Sequence, residues 1–204
     1  MTTHLTPYTP RRQRGLPTLD ADRAAPRQTA TDATAQAPPS ARPFPFDPGT
    51  LVVLVGIPGC GKSRFAARYP ASWRVSLDEY RLAATDDMTD QSATPVAAQI
   101  QTLLLDARLA RRLTTLVDAT NIYPHVRAGL LARARYWQRP TTAILFDIPL
   151  ETAQAQNANR ARVVPTSVLR DLHPQLPTAG QLRSEGFDAV HRVGDLAAVD
   201  GRTR

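Results

Sequence analysis

Lysine is nearly missing from this sequence. Of 25 basic Lys and Arg residues, Lys62 alone is lysine. A chain that meets every other need for positive charge with arginine keeps lysine where a flexible point donor suits and a planar fork does not. Cysteine is as scarce: Cys60 stands alone, so no disulfide forms within the chain and nothing points to export. Aromatic residues make up 6% of the sequence, which leaves few faces for nucleic-acid bases to stack on. Tyr80, Tyr123 and Trp137 are the candidates, with Trp137 also suited to a core. No apolar run approaches the ~20 residues that span a bilayer, and the N-terminus lacks the apolar segment of a signal peptide. The expectation is a cytoplasmic protein that does not enter a membrane.

What is present suits a globular enzyme-sized chain. It has 204 residues, 42% hydrophobic and 21% charged, enough for one domain with a sizeable core. The net charge is +7 and the isoelectric point about 10.4, which favours anionic partners such as nucleotides or nucleic acid without choosing between them. Half of the 18 prolines lie between Pro7 and Pro48, among Ala, Thr and Arg. Residues 1–47 are therefore expected to form a disordered tail, and residues 48–204 the folded domain. Arg11, Arg12 and Arg14 cluster in that tail, either to touch nucleic acid or as solvated charge.

Leu51–Ser63 reads LVVLVGIPGCGKS. Five β-favouring residues run into the pattern G-x-x-x-x-G-K-[ST], and a helix-compatible run, Arg64–Tyr69, follows. Glycines let backbone N–H groups turn inward around a phosphate, and the helix start adds free N–H donors. Gly56, Pro58, Gly59, Cys60, Gly61, Lys62, Ser63 and Arg64 form the expected nucleotide-binding set. Lys62 reaches the β- and γ-phosphates, and the Ser63 hydroxyl ligates Mg²⁺. Cys60 is read as a small residue tolerated in the loop; a redox switch is the alternative.

Apolar strands then alternate with helical periodicity: strands at Trp73–Leu77, Thr115–Val117, Thr141–Ile148 and Phe187–Val193, helices from about Val96 to Arg112, from Pro124, and over Leu150–Arg160. Ser167–Leu172 is a short helix broken by Pro174 and Pro177, and the chain after Gly194 is expected to fray. The alternation specifies an α/β sheet with right-handed crossovers, with ligands beyond the carboxyl ends of its strands.

Polar residues with chemistry fall at those ends. Asp118 follows the third strand, where an acid approaches the Mg²⁺ shell; capping the next helix is its other possible use. Asp78 follows the second strand, and Arg81 lies three residues on, facing the same way if the segment is helical. A carboxylate there can deprotonate an attacking hydroxyl, or merely cap the helix. Arg160 and Arg162 follow the fourth strand and its helix, and suit a lid that places cations on a transferring phosphoryl group, or a solvated face.

Four motifs in this order resemble the P-loop kinases related to polynucleotide 5′-kinase, a group that includes zeta-toxin-like kinases. They are Gly56–Ser63; Asp78-Glu79-Tyr80-Arg81; Asp118-Ala119-Thr120-Asn121; and Asn157-Ala158-Asn159-Arg160 leading into Val164-Pro165-Thr166-Ser167-Val168-Leu169. The resemblance covers about Leu51 to Val193 and implies a five-stranded parallel sheet in the order 2-3-1-4-5, flanked by helices, with a short Arg-bearing lid. It implies an ATP- and Mg²⁺-dependent kinase acting on a hydroxyl acceptor, foremost a polynucleotide 5′-OH. Asp78 would be the general base, Arg81 the ligand of an acceptor phosphate, and Arg160 a contact to the ATP phosphates. Asp118 and Asn121 would lie near the acceptor, with Arg127 matching a basic position of the following helix. Where such lids often carry Arg directly before the Asn, this chain has Gln156. The alternatives are a zeta-toxin-like, nucleoside or small-metabolite kinase, and an ATP-binding regulatory module without turnover.

Overall fold

A computed structural model describes residues 44–160 and 162–200, with side chains described to Leu196. The tail expectation for residues 1–43 lies outside the described residues. Phe44 and Phe46, which precede the expected start at residue 48, lie against the core, and Tyr69 Oη donates to the Phe44 carbonyl at 3.1 Å.

Five strands form one parallel sheet: β1 Leu51–Val55, β2 Arg74–Val75, β3 Thr115–Val117, β4 Thr141–Leu145 and β5 Ala189–Arg192, in the order β2-β3-β1-β4-β5. This is the expected order. β1 is fully buried along its length. Its alternate residues feed two cores: Leu51, Val53 and Val55 point into one, Val52 and Leu54 into the other. Continuous apolar strands are what a sheet covered on both faces requires.

The helices are α1 Lys62–Ala66, α2 Leu77–Thr85, α3 Thr94–Ala110, α4 Pro124–Tyr136, α5 Leu150–Ala158, α6 Thr166–Leu172, α7 Ala179–Glu185 and α8 Val193–Asp200. α3 and α4 each carry a proline in the first turn, Pro95 and Pro124, whose fixed φ suits a helix start and whose missing N–H would have had no helical partner. α3 and α4 cover one face, supplying Leu105, Leu109, Leu130 and Leu131; α1, α5 and α6 supply Phe65, Ala153 and Leu169 to the other.

Two helices depart from the sequence reading. α7 forms where Pro174 and Pro177 suggested only a break, because Thr178 and Gln181 make a reciprocal capping box and Leu182 anchors the helix in the core. α8 occupies a stretch expected to fray, and Leu196 is buried there. Three strands, β2, β4 and β5, are each three residues shorter than expected. Among the described residues, no helix is long and apolar enough to cross a membrane.

Candidate active site

The carboxyl ends of β1, β2 and β3 open into a cleft of about 790 Å³ lined by the phosphate loop, the start of α2, the segment after β3 and the loop between α5 and α6. Gly59 and Gly61 have φ of +83° and +99°, a region that side chains seldom adopt. At Gly59 a Cβ would also stand 2.4 Å from the Ala153 carbonyl oxygen, so α5 presses the loop into shape. Lys62 is buried at 8% exposure, and its Nζ donates to the Gly56 and Ile57 carbonyls at 2.8 Å each. The ammonium is thus held at the mouth of the loop by two of its three hydrogens. Cys60 is buried behind it, with Sγ 3.5 Å from Lys62 Nζ. Burial pushes the Cys60 thiol above its ordinary range against the pull of Lys62, which makes it a poor thiolate and supports the packing reading over the redox one.

Asp118 is hung on the sheet by its own backbone: its N–H donates to the Val75 carbonyl at 2.9 Å. Its side chain is 5% exposed and lines the cleft, with Arg74 Nε 3.5 Å from Oδ2. Asp78 sits in the first turn of α2, where the helix dipole favours negative charge. The cap position is Ser76, so Asp78 is not the N-cap that was its alternative reading. Half exposed into the cleft, it pairs with Arg81 one turn on. Arg81 is itself buried, donating through Nε to the Met88 carbonyl at 3.0 Å and through Nη1 to Thr94 Oγ1 at 3.5 Å. It therefore ties α2 to the start of α3.

The lid hangs from Asn157. This buried side chain bonds both ways with the Val164 backbone, and Arg160 and Arg162 between them line the cleft. Ala161 lies outside the described residues. Gln156 lines the cleft as well, with its Oε1 3.9 Å from where a Gly61 Cβ would stand. The neutral amide thus occupies a place over the phosphate loop.

Asn121 and Arg127 do not line the cleft, which corrects their expected place among the acceptor ligands. Asn121, at φ +47°, turns its amide inward and donates to the Leu54 carbonyl at 2.8 Å, bracing β1 against the loop after β3. Arg127 is 1% exposed; it donates to the Asn121 carbonyl at 2.9 Å and forms a two-bond pair with Glu185 at 2.6 and 2.5 Å. Sequence spacing puts both near the site, but each spends its donors on the protein.

None of the three candidate stacking residues lines the cleft. Trp137 packs on the core and donates to Asp106 at 3.2 Å, Tyr123 stacks on His125 at 5.7 Å, and Tyr80 is half-buried, its hydroxyl pushed up by desolvation. Sequence reasoning missed Arg74, Glu79, Met88 and Gln91, all of which line the cleft. Arg74 did carry a signal: it is the one charged residue of the strand-like run Trp73–Leu77, four residues before Asp78.

The donor set suits Mg²⁺. One hydroxyl, Ser63, and one carboxylate, Asp118, share the cleft, and a cation that keeps several waters and takes substrate phosphates needs no more from the protein. Among the described residues no cluster of three or more His, Cys, Asp or Glu forms a self-sufficient metal cage.

Comparison with known proteins agrees with this geometry. A family model described as AAA domain matches residues 51–177. An L-seryl-tRNA(Sec) kinase of Methanococcus maripaludis is 22% identical over 136 residues, which cover 64% of this chain and 53% of that one. The chain thus spans about half the length of this curated relative. A solved structure of the Pnkp1/Rnl/Hen1 RNA repair complex contains a chain similar at 26% identity and a TM-score of 0.56, covering 68% of this chain and 46% of that chain.

Proposed function

The chain belongs to the AAA domain family, and from that premise we propose that it is an ATP-dependent kinase which phosphorylates a hydroxyl acceptor, foremost a polynucleotide 5′-OH. One observation carries the reading: Lys62, Ser63, Asp118, Asp78 and Arg160, drawn from four separate segments, line a single cleft at the carboxyl ends of the strands.

ATP with Mg²⁺ supplies an activated γ-phosphoryl group whose charge the metal helps to disperse. The phosphate-loop N–H groups and Lys62 hold the phosphates. Ser63 and Asp118 offer the metal-side ligands. Arg160 and Arg162 bring cations from the lid to the oxygens on which charge develops, and closing the lid excludes water. Asp78, half exposed on the opposite bank, accepts the proton of the attacking hydroxyl. Its pairing with Arg81 one turn on keeps it aimed.

Support for a polynucleotide acceptor comes from the net charge of +7 and from similarity to a tRNA kinase and to a chain of an RNA repair complex. No aromatic residue among the described residues lines the cleft, so recognition rests on charge and backbone contacts and little base preference is expected. Gln156 over the phosphate loop favours a second reading, an ATP-binding module with slow turnover. The deciding experiment offers γ-labelled ATP with 5′-OH DNA and RNA oligonucleotides, nucleosides, and UDP-N-acetylglucosamine. Label on oligonucleotides that disappears with Asp78→Ala supports the polynucleotide reading. Label on the nucleotide sugar alone supports a zeta-toxin-like kinase. ATP bound and left intact with every acceptor overturns the polynucleotide reading and leaves a small-metabolite kinase or a nucleotide-binding module.

A further inference from the structure

We infer that Arg74 is a positioning residue that tempers the attraction of Asp118 for a divalent cation, so that the metal enters with the nucleotide and is not held by the protein alone. The inference rests on the phosphoryl-transfer reading above.

Arg74 opens β2 and lines the cleft between two carboxylates. It pairs with Glu79 of α2, and its Nε stands 3.5 Å from Asp118 Oδ2. That Nε is buried and makes no hydrogen bond, so its contact with Asp118 is one of charge. The Asp118 side chain is 5% exposed, and water screens such a contact poorly. Ser63 is neutral, so Asp118 brings the only formal negative charge among the expected metal ligands, and Arg74 offsets part of it. Glu79 sets how large that part is. By drawing the guanidinium to its own side, it leaves Asp118 more of its charge. The chain Glu79–Arg74–Asp118 thus links the first turn of α2, which carries Asp78, to the metal side of the cleft.

The test is Mn²⁺ binding to the full-length protein, read from the electron paramagnetic resonance of free Mn²⁺, with and without ADP. Wild-type protein is expected to bind Mn²⁺ tightly only when ADP is present. Arg74→Gln keeps length and loses charge, and should bind Mn²⁺ about fivefold or more tightly without ADP. Arg74→Lys, which restores the charge, should return to wild-type affinity. Glu79→Gln frees the guanidinium for Asp118 and should weaken Mn²⁺ binding. Opposite shifts in the two neutral variants cannot come from a loosened fold, which would weaken both. Equal or weaker binding in Arg74→Gln, or the same tightening in Arg74→Lys, overturns the inference while wild-type Mn²⁺–ADP binding leaves the kinase reading standing. Loss of Mn²⁺–ADP binding in the wild type removes both.

Discussion

Asn157 and Val164 close a ring at the base of the lid: Asn157 Nδ2 donates to the Val164 carbonyl at 2.8 Å, and the Val164 N–H donates to Asn157 Oδ1 at 3.1 Å. A side-chain amide here imitates a backbone pair, so the segment bearing Arg160 and Arg162 leaves and re-enters the core at fixed points. Asn157→Ala should cost about 1–3 kcal/mol of stability, since two backbone groups lose partners. It should also weaken nucleotide affinity by freeing the lid. Denaturant melts and ADP titration measure the two effects; an intact ADP affinity would dissociate the ring from lid function.

Asp78→Asn keeps the shape of the α2 turn and removes the base. Transfer should fall by about 10²–10⁴, while ADP binding stays near that of the wild type. Single-turnover transfer and calorimetry separate the two, and transfer at the wild-type rate would remove Asp78 from the chemistry.

Lys62→Ala takes away the one compact cation of the phosphate loop. Transfer should drop by about 10²–10³, with ADP affinity reduced as well. A variant with unaltered transfer would end the phosphate-loop reading.

Arg127→Ala should act on stability and not on acceptor affinity. Removing it strands the carbonyls of Asn121 and Ile122 and leaves the partly exposed Glu185 without its partner, a loss of about 1–3 kcal/mol. Chemical denaturation reads the first, and the KM for the acceptor in the folded variant reads the second. A raised acceptor KM at unchanged stability would return Arg127 to the acceptor site.

The Cys60 thiol, pushed up by burial, binds its proton more tightly folded than unfolded. Its contribution to stability is whole below the ordinary thiol range and is lost as pH rises through the folded value. Labelling by a disulfide reagent at neutral pH should be slow until the protein is denatured. Fast labelling of native protein would reopen the redox reading.

The legible part of this protein was local. Leu51–Ser63 declared its strand, turn and helix because each depends on neighbouring residues: β-branched packing, glycine dihedrals, a helix start. Alternating apolar strands and periodic helices specified a parallel sheet, and the motif order implied its strand order. α7 was legible in principle through Thr178 and Gln181, but two prolines nearby spoke for a break.

The assignment of side chains to cleft or core was decided by tertiary structure. Asn121 and Arg127 look like site residues in a list of motifs, yet Leu54 and Glu185, 67 and 58 residues away, claim their donors. Arg74 looks like an ordinary strand cation until β3 carries Asp118 beside it. Sequence alone determined that this chain has a phosphate loop on a parallel sheet, since short-range stereochemistry settles that much. Which arginines face the cleft and which brace the fold depends on partners distant in the chain, and only folding brings those within hydrogen-bonding reach.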